Sequence, residues 1–161
     1  MFSPLGMLCY RPVSEARRLF EDFEPGEVFE SPGRTVTEAD IVLFAGLSGD
    51  YNVLHTDAEF MRSSPFGERI AHGLLGVAIQ QGLAGRALPI AEGSALAGLR
   101  WKFRAPIRIG DTIRVTVRVA EKAEGSEPGW GLITFERRVL NQRGEVVQEG
   151  ETQHRVERRH A

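Results

Sequence analysis

The chain is poor in the features by which many functions show themselves. It holds one cysteine, Cys9, in 161 residues, which excludes an internal disulfide and a multi-cysteine metal site and fits a reducing compartment. No stretch approaches the roughly 20 apolar residues that a membrane-spanning helix needs. Residues 1–10 are mildly apolar, but no basic residue precedes them and no small-residue cleavage site follows, so they read as a lead-in and not a signal peptide. A net charge of −2 gives no basic footprint for nucleic acid. The basic run at 154–160 is short and broken by Glu157, which reads as a solvated strand end. Repeats, low-complexity tracts and linkers are missing too. The expectation is one cytoplasmic domain over 1–161, with a lead-in at 1–20 and a core at about 22–156, and with neither nucleic acid nor membrane as a partner.

What is present is a globular composition, 42% apolar and 26% charged. One or two helical turns fit 14–20, and Pro25-Gly26 and Ser31-Pro32-Gly33 break short extended segments. Thr37 has the character of an N-cap, with Glu38 and Asp40 placing acid in the first turn. Ile41, Val42, Phe44, Ala45 and Leu47 follow at helical spacing, and Ser48-Gly49 ends the run. Irregular backbone is expected at 50–55, a short helix beginning at Thr56-Asp57, and a loop at 63–67. From His72 to about Leu88 the residues are apolar on more than one face, which predicts a long, largely buried helix. Gly76, Gly82 and Gly85 in it would let a sheet approach closely. Strands are predicted at 95–103, 112–120, 130–140 and 145–156, with a hairpin turn at 141–144. Leu99, Trp101 and Phe103 share one strand face, and both tryptophans are expected in the core. This is an α+β pattern, an antiparallel sheet wrapped around one apolar helix.

The chemistry concentrates in Ser48-Gly49-Asp50-Tyr51-Asn52-Val53-Leu54-His55 and in Ile70-Ala71-His72-Gly73. A carboxylate and an imidazole held together can move protons both ways near neutral pH. A calcium loop is excluded, because Leu54 stands where a ligand belongs and no glycine follows. A transition-metal site from Asp50, His55 and Asp57 is disfavoured by the lack of a helical histidine pair. A purely structural turn, in which Ser48, Asp50 and Asn52 bond their own backbone, fits the same residues. His72-Gly73 opens the long helix, where free N–H groups and a missing side chain suit a carbonyl oxygen that gains negative charge.

The run Val36-Thr37, Asp40-Ile41, Phe44-Ala45, Leu47-Ser48-Gly49-Asp50, Asn52, Leu54-His55 resembles the hydratase motif of the MaoC-like, (R)-specific enoyl-CoA hydratase family. Ile70-Ala71-His72-Gly73 and Phe103, Pro106-Ile107, Ile109-Gly110-Asp111 resemble that family's next two blocks, in the same order. The resemblance implies a hot-dog fold, usually paired as a homodimer or a dimer-based homo-oligomer. It implies hydration of trans-2-enoyl-CoA to (R)-3-hydroxyacyl-CoA, or the reverse dehydration. Asp50 and His55 would be the catalytic pair and Asn52 an orienting residue. Gly73 would supply a backbone amide to the thioester oxygen, with His72 beside it as a further substrate-binding residue. An acyl-CoA thioester would be the partner, with coenzyme A part of the substrate and neither metal nor other cofactor required. Two departures stand out: Val53 replaces the family proline, and Gln80-Gln81 lies where some relatives carry a small hydroxyl residue that supports the aspartate. Arg100, Lys102 and Arg104 alternate on one strand and offer a second reading as contacts for coenzyme A phosphates. An acyl-CoA thioesterase, or a non-catalytic acyl-CoA-binding hot-dog protein, are the alternatives for the same scaffold.

Overall fold

The computed structural model describes residues 17–159. Cys9, residues 14–16 of the helical turns expected at 14–20, and His160 lie outside the described residues; residues 17–19 are not helical, and Arg18 instead forms a parallel bridge with Ile90. A single 3₁₀ turn, Phe20–Asp22, leads into strands β1 (Val28–Glu30) and β2 (Arg34–Thr35). Three helices follow: α1 (Glu38–Ser48), α2 (Val53–Thr56) and α3 (Ala58–Arg62). Then come the long helix α4 (Gly73–Ala87) and strands β3 (Ala95–Phe103), β4 (Thr112–Glu124), β5 (Trp130–Leu140) and β6 (Val146–Glu157).

All strand pairs are antiparallel, in the order β1-β4-β5-β6-β3, and β2 also pairs with β4. The alternation read in β4 is the one that packs: Ile113, Val115, Val117 and Val119 are fully buried. Across from them lie Ile133, Phe135 and Val139 of β5 and Val147 and Val156 of β6. Register shifts at Val119/Glu121 and Val139/Leu140 are the kind of bulge that bends a strand and sharpens its twist. The resulting curve receives Leu75, Ile79, Leu83 and Ala84 of α4. Gly76 is where the sheet comes closest, because an added Cβ would stand 2.3 Å from Gln148 Nε2 and 2.8 Å from Ile107 Cδ1.

Three expectations change. Helix α4 is buried along one side only: Leu74 is 64% exposed, and a Cβ added at Gly82 or Gly85 would meet nothing within 4 Å. Close approach therefore explains one glycine of three. Trp130 is only half-buried, lying under the Arg155 guanidinium at 4.3 Å. Trp101 does pack against the core, and its indole N–H donates to Gln148 Oε1 at 3.0 Å. On the same strand face, however, Leu99 and Phe103 stay exposed, because β3 is the last strand of the sheet and has one unpaired edge.

The front of α1 follows its sequence closely. Thr37 Oγ1 accepts from the Asp40 N–H at 3.3 Å, and Asp40 Oδ2 accepts from the Thr37 N–H at 2.8 Å, a reciprocal capping box. Gly49 ends the helix in the left-handed region at φ 75°, its N–H donating to Ala45 O, a position that favours glycine. Among the described residues no helix is long and apolar enough to cross a membrane.

Candidate active site

The segment after α1 is a ladder of side-chain-to-backbone bonds. The Asp50 N–H donates to Ser48 Oγ at 3.2 Å, the Asn52 N–H to Asp50 Oδ1 at 3.2 Å, and the Leu54 N–H to Asn52 Oδ1 at 3.0 Å. Each acceptor sits two residues before its donor, the Asx-type geometry that short polar side chains favour. This structural turn does not compete with a reactive role. It is the device that fixes one oxygen of Asp50 and leaves Oδ2 unclaimed by protein among the described residues.

Asn52 acts here through its backbone and as an N-cap, since its side chain bonds the first turn of α2 and not the Asp50 or His55 side chains. Backbone expected to be irregular at 50–55 is helical from Val53, and His55 rides on that one turn. Val53 is the first residue of α2, a place where proline is well tolerated. Asp57 is committed elsewhere: its Oδ1 caps α3 by accepting from the Phe60 N–H at 2.9 Å. The second histidine of the cluster is therefore His72, with no part for Asp57.

His55 is 8% exposed and its Nδ1 lies 2.7 Å from Ile70 O. A carbonyl only accepts, so Nδ1 carries the proton and Nε2 keeps its lone pair. Among the described residues that Nε2 has no protein partner, yet it is not one of the orphaned atoms sealed in the interior. His72 is 2% exposed, and its Nε2 lies 2.9 Å from the backbone oxygen of Asp50. The two imidazoles stack, with centroids 3.7 Å apart and planes at 30°. One ligand-capable atom from each of Asp50, His55 and His72 lies within 4.8 Å of the others. Stacked rings send their in-plane lone pairs along separate lines, whereas a tetrahedral metal wants them convergent. The geometry suits proton transfer better than metal ligation.

Gly73 is the first residue of α4, where the N–H has no intrahelical acceptor. Its carbonyl accepts from Gln148 Nε2 at 3.0 Å. The Phe103 ring covers its Cα so closely that an added Cβ would lie 2.8 Å from Phe103 Cε1. His72 precedes it in extended conformation, φ −57° and ψ 138°, so the chain passes directly from the stacked imidazole to the free amide.

Gln80 and Gln81 turn to a residue that the sequence pattern did not single out. Arg137, on the inner face of β5 and 1% exposed, donates from Nη1 to Gln80 Oε1 at 3.1 Å and to Gln81 Oε1 at 2.6 Å. Its Nη2 lies 2.9 Å from His154 Nε2. These amides serve the arginine and not Asp50. The only sequence signal was an arginine at an inward position of an alternating strand. Arg100 and Arg104 pair with Glu151 and Glu149 across the outer face of the sheet, so both already have carboxylate partners. The C-terminal cations fold back likewise, Arg158 onto Glu21 and Glu124 and Arg159 onto Asp22.

A curved antiparallel sheet around one helix, with an acid and two imidazoles at that helix's start, defines a class. A conserved hypothetical protein of Mycobacterium tuberculosis described as a double hotdog fold superposes with a TM-score of 0.74 at 20% identity, over 88% of this chain and 44% of that one. That likeness gives the fold alone: a hot-dog fold. Residues 22–136 match the MaoC like domain family, and the chain belongs to it. The (R)-specific enoyl-CoA hydratase of Rhodospirillum rubrum is 39% identical over 132 residues, 82% of this chain and 87% of that protein. The crystal structure of the MaoC-like dehydratase from the same species superposes with a TM-score of 0.81 at 34% identity, covering 89% of this chain and 99% of that one.

Proposed function

We propose that the protein is a hydro-lyase that adds water to trans-2-enoyl-CoA, giving (R)-3-hydroxyacyl-CoA, and runs the reverse dehydration. The observation that carries this reading is the meeting of Asp50 and His55 within 4.8 Å, with His55 Nε2 and Asp50 Oδ2 left open. The pair shares one proton and holds one water. The unprotonated partner takes a proton from the water as its oxygen bonds the β-carbon. The protonated partner gives its proton to the α-carbon. Proton taken and proton given balance, so the pair still holds one proton, now on the other partner, and passing it back between the two restores the starting state; the titration belongs to the two groups together. Negative charge gathers on the thioester oxygen between these events. The Gly73 amide at the start of α4 is the donor for it, a contribution of about 3 kcal/mol. No metal or redox cofactor takes part in this chemistry.

The working unit in this reading is a homodimer or a dimer-based oligomer. Support comes from the apolar surface that one copy leaves open: Leu43, Leu47 and Leu74 on the helices, and Leu96, Leu99 and Phe103 along the free edge of β3. A long apolar sheet edge is a liability for a lone subunit, and a second copy of the chain covers it.

The test is direct. Incubation with crotonyl-CoA and longer trans-2-enoyl-CoAs should remove the enoyl absorbance without releasing free thiol, and chiral analysis should return the (R)-3-hydroxy product. Release of free coenzyme A in place of hydration would transfer the site to thioester hydrolysis. Unchanged absorbance across the panel would leave a binding module.

A further inference from the structure

His72 does two things at once. Its Nε2 lies 2.9 Å from the Asp50 carbonyl oxygen, and its ring lies face to face with that of His55 at 3.7 Å. The first contact reaches the loop after α1, and the second reaches α2. Phe44 of α1 closes another side of the ring, with centroids 5.0 Å apart and planes at 55°. The side chain is 2% exposed, so it belongs to the wall of the site and not to its opening. Because a carbonyl cannot donate, Nε2 carries the ring proton. Nδ1 is left with a lone pair that is buried and, among the described residues, without a protein partner.

We infer that His72 is a positioning residue that couples Asp50 to His55, holding the backbone of one and the ring plane of the other from the entry of α4. The inference rests on the assignment of Asp50 and His55 made above. It gives His72 a different part from direct substrate binding. The same residue fixes the place where the Gly73 amide emerges, so the three parts of the site share one anchor. Asp50 is exposed on a loop, and the short ladder of bonds after α1 fixes only its local conformation. The His72 bond is what ties that ladder to the buried helix. Misplacement of reacting groups by about 1 Å costs on the order of 100-fold in rate, and that is the scale expected when this tie is cut.

Two substitutions separate the two contacts. His72→Gln keeps an N–H donor near the Asp50 carbonyl and loses the ring. His72→Phe keeps the ring over His55 and loses the donor. Each should lower kcat by about 10- to 100-fold with KM within about threefold of wild type. His72→Gln in a His55→Ala background should cost little more than His55→Ala alone, because the ring that His72 stacks on is gone. A merely structural histidine would lower the folded fraction and leave the kcat of the folded enzyme and its pH profile unchanged. Unchanged kcat in both variants, normalised to folded protein by thermal melts, overturns the inference, as does a selective rise in KM.

A readout independent of activity keeps the two readings apart. Long-range ¹H–¹⁵N spectra of the histidine rings should show His72 as the Nε2–H tautomer and His55 as the Nδ1–H tautomer, and in His72→Gln the His55 ring signals should shift and broaden as the stacked ring is lost. His72 appearing as the Nδ1–H form would refute the coupling even in an active enzyme. A protein with the expected tautomers and no hydration would instead sink the hydratase assignment and leave the coupling standing.

Discussion

Two histidine clusters lie along α4, and the chemistry of one is nearly the reverse of the other. At the start of the helix, His55 and His72 each give their one N–H to a backbone carbonyl and keep a lone pair. About two turns further on, His154 gives its lone pair away. Arginine only donates, so His154 Nε2 accepts from Arg137 and the ring is neutral. Burial, with the neighbouring Arg137 charge acting the same way, pushes His154 down to about 4. Burial also lowers Arg137, to about 10, which still leaves it charged at neutral pH. Its partners Gln80, Gln81 and His154 are all uncharged, and its Nε has none. The difference teaches that burial alone does not mark a reactive histidine. What separates the clusters is whether an imidazole nitrogen remains unclaimed beside a carboxyl group.

The sharpest way to break this contrast is to disable each cluster in turn. Asp50→Asn and His55→Ala should each reduce hydration by about 10³-fold or more, with thermal melting close to wild type. Arg137→Met should do the opposite: kcat of the folded enzyme within a few fold, and stability lowered by about 1–3 kcal/mol, because Gln80 Oε1 and His154 Nε2 are left buried without their donor. Denaturant titration alongside steady-state kinetics checks both arms. Loss of activity in folded Arg137→Met would join the two clusters into one site.

Next in size is the amide at the helix start. Gly73→Ala and Gly73→Pro both add a Cβ against the Phe103 ring, but only proline deletes the N–H. Proline is acceptable at a first helical position, and the extended His72 backbone before it suits a following proline. The prediction is a kcat for Gly73→Pro lower than that of Gly73→Ala by about 10²- to 10³-fold. Equal rates in the two variants would remove the amide from the mechanism.

The closed cluster should show itself in the pH dependence of stability. Between about pH 6.5 and about 4 the unfolded chain protonates His154 while the folded protein does not. Stability therefore falls as pH falls through that window, by up to about 1.4 kcal/mol per pH unit from this group. His154→Gln should flatten that slope. A slope that is unchanged in the variant would show that His154 does not carry the effect.

The smallest effect concerns the turn that carries His55. Val53 stands first in α2, after an Asn52 already extended at φ −52° and ψ 139°. Val53→Pro should raise stability by about 0.4–1 kcal/mol, chiefly by restricting the unfolded chain, with kcat retained. A loss of stability would mean that the Val53 N–H is used.

Much of this was legible before any coordinates. Thr37, Asp40 and Gly49 are set by capping and by the left-handed turn, which act within four residues. The β4 alternation of Ile113, Val115, Val117 and Val119 is set by the two-residue repeat of a strand. Ser48, Asp50 and Asn52 announce their turn because short polar side chains bond their own backbone. β3 covers the residues its alternation indicates, 95–103, yet Leu99 and Phe103 stay exposed, since periodicity tells which residues share a face and not whether anything covers that face. Gly82 and Gly85 were misjudged for the same reason: a small residue permits an approach without causing one.

Local propensity and spacing thus determined the order of elements, the helix ends and the presence of an Asp–His turn ahead of a His-Gly helix start. Only the tertiary structure decided that His72 lies on His55 and holds Asp50, that Gln80 and Gln81 turn to Arg137, and that Asp57 stays out of the site. Those partnerships join residues distant in the chain. They depend on how the loops return and on which strand register the sheet adopts, quantities fixed by packing of the whole core and not by any short stretch of it.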